Sequence, residues 1–161
     1  MTNRENVFMH GASNRFLVHF GETHPSDLLK ELDGADGVLV VKEDASSDAF
    51  MRIFNADGSE AGQCGNGLRC VALHLVRSKL VKGNEIIIRT LSGMHACVVR
   101  EDCNEVEVTL CIPSCGAYSM EEFQALSFVH MGNPNAVMWT QDDPLTLREE
   151  LGATISQSKQ F

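Results

Sequence analysis

Phe54-Asn55-Ala56-Asp57-Gly58-Ser59-Glu60-Ala61-Gly62-Gln63-Cys64-Gly65-Asn66-Gly67-Leu68-Arg69-Cys70 is the stretch on which the fold turns. It joins three local signals: a strand ending at Phe54, a turn over Asn55-Ala56-Asp57-Gly58, and a thiol placed just ahead of a glycine-rich helix start. Beyond it Leu68, Val71, Ala72, Leu75 and Val76 recur at helical spacing, and Leu73 adds a second apolar face. The spacing predicts a helix over 66–80. A helix apolar on so much of its circumference is normally buried in the middle of a fold.

Working outward, the chain on either side supplies strands to cover that helix. Residues 8–20 form a strand pair around the polar turn Gly11-Ala12-Ser13-Asn14, and Val38-Leu39-Val40-Val41 is a buried strand. Between them 26–32 has the pattern of a short helix, with Ser26 as its cap and Gly34 just past its end. Downstream, 85–90, 94–100 and 105–111 form an antiparallel meander. In its third strand Val106, Val108 and Leu110 face one way and Glu105, Glu107 and Thr109 the other. Around Ile112-Pro113-Ser114-Cys115-Gly116 the strand signals stop, which puts a boundary between a first unit, 1–112, and a second, 113–161.

In the second unit Ser119-Met120-Glu121-Glu122 has capping-box spacing for a short helix. Strands are predicted at 127–130 and 136–140, around Gly132-Asn133-Pro134. Asp143-Pro144 opens a last helix, expected to run to Leu151 and stop at Gly152. These elements are too few to close a core, so the expectation is a first half followed by the opening of a second that is cut short. The fold class is α+β.

Composition narrows the function. With 161 residues, 43% apolar and 22% charged, the chain has the material for its own core. Asp and Glu outnumber Lys and Arg by 22 to 13, a formal charge of -9. That balance argues against nucleic acid or an anionic membrane as partner, since both call for a basic surface. No apolar run approaches the roughly 18 residues of a membrane helix, and Met1-Thr2-Asn3-Arg4-Glu5-Asn6 lacks a signal peptide's apolar stretch. A cytoplasmic location is expected, with the six cysteines reduced. There is no C-x-x-C pair; Cys64, Cys70 and His74 are the nearest thing to a metal set, and they lack a fourth ligand. No metal site is expected.

The chemistry concentrates at Cys64. The first N–H groups of a helix have no internal partner and sit at the positive end of its dipole. A thiolate is stabilised there, and the same groups hold a carboxylate or phosphate. Gly65 and Gly67 carry no side chains, so a ligand can approach the backbone. Two readings fit the spacing equally: a reactive thiol beside an anion cradle, and a structural cysteine at a glycine-rich helix start. A Cys–His protease or transferase is disfavoured, because none of His10, His19, His74, His95 and His130 lies in a protease context.

The run 54–70 resembles the cysteine signature of the diaminopimelate epimerase family, in which a cysteine precedes Gly-Asn-Gly. Three other stretches fall in the family's order. Met9-His10-Gly11-Ala12-Ser13-Asn14-Arg15-Phe16 is similar to its N-terminal His-Gly-x-Gly-Asn-Asp-Phe segment, Asp36-Gly37-Val38-Leu39-Val40-Val41 to its Asp-Gln strand, and Met131-Gly132-Asn133-Pro134-Asn135 to its Gly-Asn-Pro-His segment. The resemblance implies two pseudo-symmetric halves, each a curved, mostly antiparallel sheet wrapped around a central helix as a half-barrel. It implies cofactor-free epimerisation of L,L- to meso-diaminopimelate in lysine synthesis and a small amino-acid substrate, and it allows a homodimer. Two cysteines, one from each half, would flank the α-carbon. By this likeness Cys64 is the first-half catalytic cysteine. Asn14, Asn55 and Asn133 match substrate-binding asparagines, and the amides of Gly65 and Asn66 match part of the carboxylate cradle.

The departures shape the alternatives. Gly37 stands where the family has glutamine, Asn135 where it has histidine, Arg15 where it has aspartate and Ser13 where it has glycine. The second half's cysteine motif is absent from these 161 residues. An isomerase or racemase of the same fold acting on another amino acid, and an amino-acid-binding module without chemistry, stay open beside the epimerase.

Overall fold

The computed structural model describes residues 6–117 and 126–157. The helix expected from Ser119 lies outside them. The chain divides into two compact units, one ending at Cys111 and the other starting at Ile112.

The first unit opens with a hairpin, β1 (Asn6–Gly11) and β2 (Asn14–Phe20). Its two turn residues, Ala12 and Ser13, take φ of +46° and +70°. A two-residue turn with both φ positive matches the twist of the strands it joins, even though neither residue is glycine. A single helical turn α1 (Pro25–Leu28) follows, continued by a 3-10 turn over Leu29–Glu31. The expected cap at Ser26 is corrected here. His24 caps α1, its ring nitrogen accepting from the Ser26 N–H, because Pro25 occupies the first helical position.

Next come β3 (Gly37–Lys42), β4 (Ala49–Asn55) and the two-residue β5 (Glu60–Ala61), which sequence patterning missed. Helix α2 (Gly65–Arg77) precedes the meander β6 (Glu85–Thr90), β7 (Gly93–Arg100) and β8 (Glu105–Val108). α2 stops before the expected residue 80. Lys79 turns into the left-handed region at φ +54°, and the N–H groups of Lys79 and Leu80 close back onto the carbonyls of Val76 and Leu75.

The strands form one sheet in the order β1-β2-β3-β4-β6-β7-β8, with β5 on β4. The pairs β2–β3 and β4–β6 are parallel and the rest antiparallel. The sheet curls around α2, which packs against strands from both of its ends, β1 and β2 on one side and β6, β7 and β8 on the other. Leu68, Val71, Ala72 and Leu75 of α2 are completely buried with Phe16, Val18, Leu39, Val41, Met51 and Ile88. This is the half-barrel that the resemblance implied.

The unbroken apolar run in β3 has a plain cause. Leu39 and Val41 face α2, while Val38 and Val40 join Leu17, Leu28 and Phe54 in a second cluster on the other face. A strand buried on both faces needs no alternation.

The second unit has β9 (Ser114–Ala117), β10 (Leu126–His130) and β11 (Pro134–Met138) in an antiparallel sheet, order β11-β10-β9, and helix α3 (Pro144–Ser156). Two expectations change. β9 begins just after Pro113, where the strand signals of the sequence stop. α3 runs through Gly152, which costs about 1 kcal/mol inside a helix without stopping it. Asp143 caps α3 as expected, accepting from the N–H groups of Leu145 and Thr146. Among the described residues no helix is long and apolar enough to cross a membrane.

Candidate active site

The register gathers the predicted residues of the first unit at one end of the sheet. β2 begins at Asn14 and β3 at Gly37; the two strands are parallel, with Phe16 opposite Gly37. β4 runs the other way and finishes at Asn55, opposite the same Gly37. The Asp36 main chain ties these ends together, its N–H donating to the Arg15 carbonyl and its carbonyl accepting from the Ala56 N–H. α2 starts here too, its preceding loop held where the Ser92 N–H donates to the Gly62 carbonyl.

Cys64 is the N-cap of α2. Its backbone is extended at φ -149° and ψ 106°, its carbonyl accepts the first helical bond from the Leu68 N–H, and its Sγ accepts from the Gly67 N–H at 3.4 Å. The N–H groups of Gly65 and Asn66 have no carbonyl partner within the helix. The thiol and these donors therefore occupy the same positive helix end. Of the six cysteines, none of the others caps a described helix: His24 caps α1 and Asp143 caps α3. Burial pushes the Cys70 thiol up to about 11, the nearby Cys64 adding to the rise and Arg69 opposing it. Burial alone pushes Cys97 up to about 12. Both are core thiols, in keeping with the structural reading of those positions.

Asn14 and Asn66 meet directly. The Asn66 Nδ2 donates to the Asn14 Oδ1 at 2.7 Å, although 52 residues separate them. Gly11 makes this possible, since a Cβ there would lie 3.2 Å from the Asn66 carbonyl oxygen and 3.2 Å from the Cys70 Sγ. Two residues not singled out from the sequence extend the contact. Arg69 donates to the Asn66 Oδ1, and the Asn14 Nδ2 donates to the Asp36 Oδ2 at 3.4 Å. Arg69 lies three positions beyond Asn66 on one helix face, so that pair was legible in principle.

Asn55 sits at the same end of the sheet but outside this cluster. Its Nδ2 donates to the Ser59 Oγ at 2.9 Å within its own turn. Asn133 belongs to the second unit, in the turn between β10 and β11, where its carbonyl accepts from the Met131 N–H. Asn135 uses its side-chain amide on the main-chain carbonyls of Asn133 and Val129, at 3.0 and 3.3 Å, a purely structural pairing.

The glycines need sorting. The missing Cβ of Gly67 faces the Leu39 methyls at 3.1 Å, so this glycine serves close packing of helix on strand. A Cβ on Gly65 would meet the Leu110 methyls at 3.7 Å, an ordinary contact. Neither position opens toward a ligand through its missing side chain; the main-chain N–H groups are what the first turn offers. At Gly37 a Cβ would lie 2.4 Å from the Phe54 carbonyl oxygen. A glutamine side chain therefore has no place on this backbone. Gly37→Gln is expected to destabilise the chain by about 1–3 kcal/mol through overpacking, read from its urea unfolding midpoint. An unchanged midpoint would mean the start of β3 yields freely.

No metal set forms. Among the described residues no group of three or more His, Cys, Asp or Glu is placed to hold an ion, and the His74 ring stacks on Phe20 with centroids 4.7 Å apart.

Comparison with known proteins places this geometry. The family model described as diaminopimelate epimerase matches residues 29–113. The diaminopimelate epimerase of Parabacteroides distasonis is 31% identical over 152 residues, covering 83% of this chain and 56% of that protein. That of a Geobacillus strain is 32% identical over 186 residues, covering 95% and 66%. Among solved structures, a probable proline racemase from Agrobacterium radiobacter superposes with a TM-score of 0.65 at 15% identity, over 93% of this chain and 60% of that one. A hydroxyproline epimerase from Agrobacterium vitis gives 0.64 at 14% identity, over 92% and 56%; both likenesses concern the fold. The chain thus spans between about half and two-thirds of the length of these proteins. With Cys64 and the whole of α2 inside the matched residues, the chain belongs to the diaminopimelate epimerase family.

Proposed function

We propose that this chain supplies one half of a site that inverts the α-carbon of diaminopimelate without a cofactor, a step of lysine synthesis, with Cys64 as one of two thiols that move the proton. The observation that carries the reading is the place of Cys64, whose Sγ shares the N-terminal end of α2 with the first-turn N–H groups. A substrate carboxylate on the Gly65 and Asn66 N–H groups brings its α-carbon beside the sulfur. The Cys64 thiolate takes the α-hydrogen as a proton, leaving the electron pair delocalised into the carboxylate. Fixed N–H dipoles hold the charge that develops there, and they do so best in a site closed to water. A second thiol, on the opposite face, returns a proton and becomes the thiolate.

Alkylation tests this reading. Cys64 is half-buried, whereas Cys70 and Cys97 are buried and hold their protons at neutral pH. Iodoacetamide at pH 8 is expected to modify Cys64 well before those two, and L,L-diaminopimelate to slow that modification. The exposed Cys103 and Cys115 serve as controls that the amino acid leaves untouched. Modification of Cys64 no faster than of Cys97, or at a rate indifferent to diaminopimelate, would contradict the proposal. Gly37, which leaves no room for the family's glutamine, favours a second reading, a racemase of this fold for another amino acid. Protection by proline in place of diaminopimelate would select it.

A further inference from the structure

We propose that Arg69 is a positioning residue of this site, fixing the side-chain amides of Asn66 and Asn14 in one orientation through a relay that ends on Asp36. Four side chains stand in line. The Arg69 guanidinium donates to the Asn66 Oδ1, the Asn66 Nδ2 donates to the Asn14 Oδ1 at 2.7 Å, and the Asn14 Nδ2 donates to the Asp36 Oδ2 at 3.4 Å. The same carboxylate oxygen accepts the Arg15 main-chain N–H at 2.7 Å, which fixes the far end of the line.

The ends decide the middle. A guanidinium can only donate and an ionised carboxylate can only accept, whereas an asparagine amide does both and can turn over. With a pure donor at one end and a pure acceptor at the other, just one arrangement satisfies every link. Asn66 must turn its oxygen to Arg69 and its nitrogen to Asn14, and Asn14 must turn its nitrogen to Asp36. Flipping either amide sets N–H against N–H or oxygen against oxygen at both of its contacts.

The relay uses both amide oxygens and one N–H of each amide. Each amide keeps a second N–H, and the relay fixes which end of the amide carries it. A carboxylate satisfies such donors and an ammonium does not. Held in this way, those N–H groups suit an anionic group, and the arginine that sets them acts through Asn66. That use of the relay rests on the amino-acid site proposed above; the amide orientation itself does not.

The test is ¹⁵N–¹H NMR of the side-chain NH₂ groups in the 161-residue chain, which needs no substrate. Arg69 makes no bond to Asn14, yet Arg69→Met is expected to shift the Asn14 NH₂ pair and to raise its exchange with water by about tenfold, the protection of roughly one hydrogen bond. Arg69→Gln keeps a donor without the charge and is expected to restore the pair; a merely electrostatic or packing role would not be rescued this way. In the unaltered chain, both NH₂ groups should exchange at least about tenfold more slowly than that of the exposed Asn84, a comparison that holds even if Arg69→Met fails to fold. An Asn14 pair indifferent to Arg69→Met, a glutamine no better than methionine, or exchange at the Asn84 rate would overturn the relay. Failure of diaminopimelate to protect Cys64 would overturn the site reading and leave this result standing.

Discussion

Leu68→Ala is expected to lower the stability of the chain by about 2–5 kcal/mol, the range for removing a leucine side chain from a packed core. Leu68 has no exposed surface and sits in the first turn of α2, in the cluster that also holds Leu39, Val71 and Leu75. The curled sheet contacts that helix from both sides, which restricts collapse into the space left behind and puts the cost toward the upper part of the range. Urea denaturation gives the number, and Leu91→Ala, at a side chain 58% exposed, should move it by less than about 0.5 kcal/mol. The effect reaches the site, because the turn that Leu68 anchors is the one whose Gly67 N–H bonds to the Cys64 sulfur. A loss below about 1 kcal/mol would mean that α2 is not the centre of the core.

Much of this centre was legible in the chain itself. Leu68, Val71, Ala72, Leu75 and Val76 announce a helix buried on most sides, and all five are buried. The alternation in 105–111 announces a half-exposed strand; β8 alternates as expected over Glu105–Val108 and ends there, three residues short. Cys64 before Gly-Asn-Gly locates the helix start to within one residue, 66 being expected and α2 beginning at Gly65, because an N-cap is a local device.

What stayed hidden was non-local. The Asn14–Asn66 bond depends on Gly11 letting the β1–β2 hairpin approach α2, and spacing does not encode an approach between segments 52 residues apart. Asp36 is likewise 22 residues from the asparagine it holds. At Gly37 the sequence showed only a missing glutamine, whereas the structure shows why none fits: the Phe54 carbonyl stands where its Cβ would be. The helix ends depart from the sequence pattern for a related reason. Lys79 adopts a left-handed turn that no glycine advertises, and Gly152 advertises a stop that the helix passes through.

The second large effect concerns catalysis. Inverting a carbon through two acid–base groups needs an acceptor on one face and a donor on the other. Each such group contributes typically about 10²–10⁴-fold. Cys64 can fill one of those places. The other five cysteines are core residues, as at Cys70 and Cys97, or lie away from any described helix start. The 161-residue chain is therefore expected to remove and replace the α-hydrogen of its substrate on one face, slowly and with retention, without inverting it. Cys64→Ala is expected to reduce that exchange by about 10²–10⁴-fold.

Proton NMR of L,L-diaminopimelate in D₂O with the purified chain reads both quantities at once. The account predicts a slow loss of the α-proton signal, abolished by Cys64→Ala, with no build-up of the meso isomer. Steady formation of meso-diaminopimelate that disappears in Cys64→Ala would contradict it, by showing that this half suffices for inversion. So would α-hydrogen exchange that continues undiminished without the thiol.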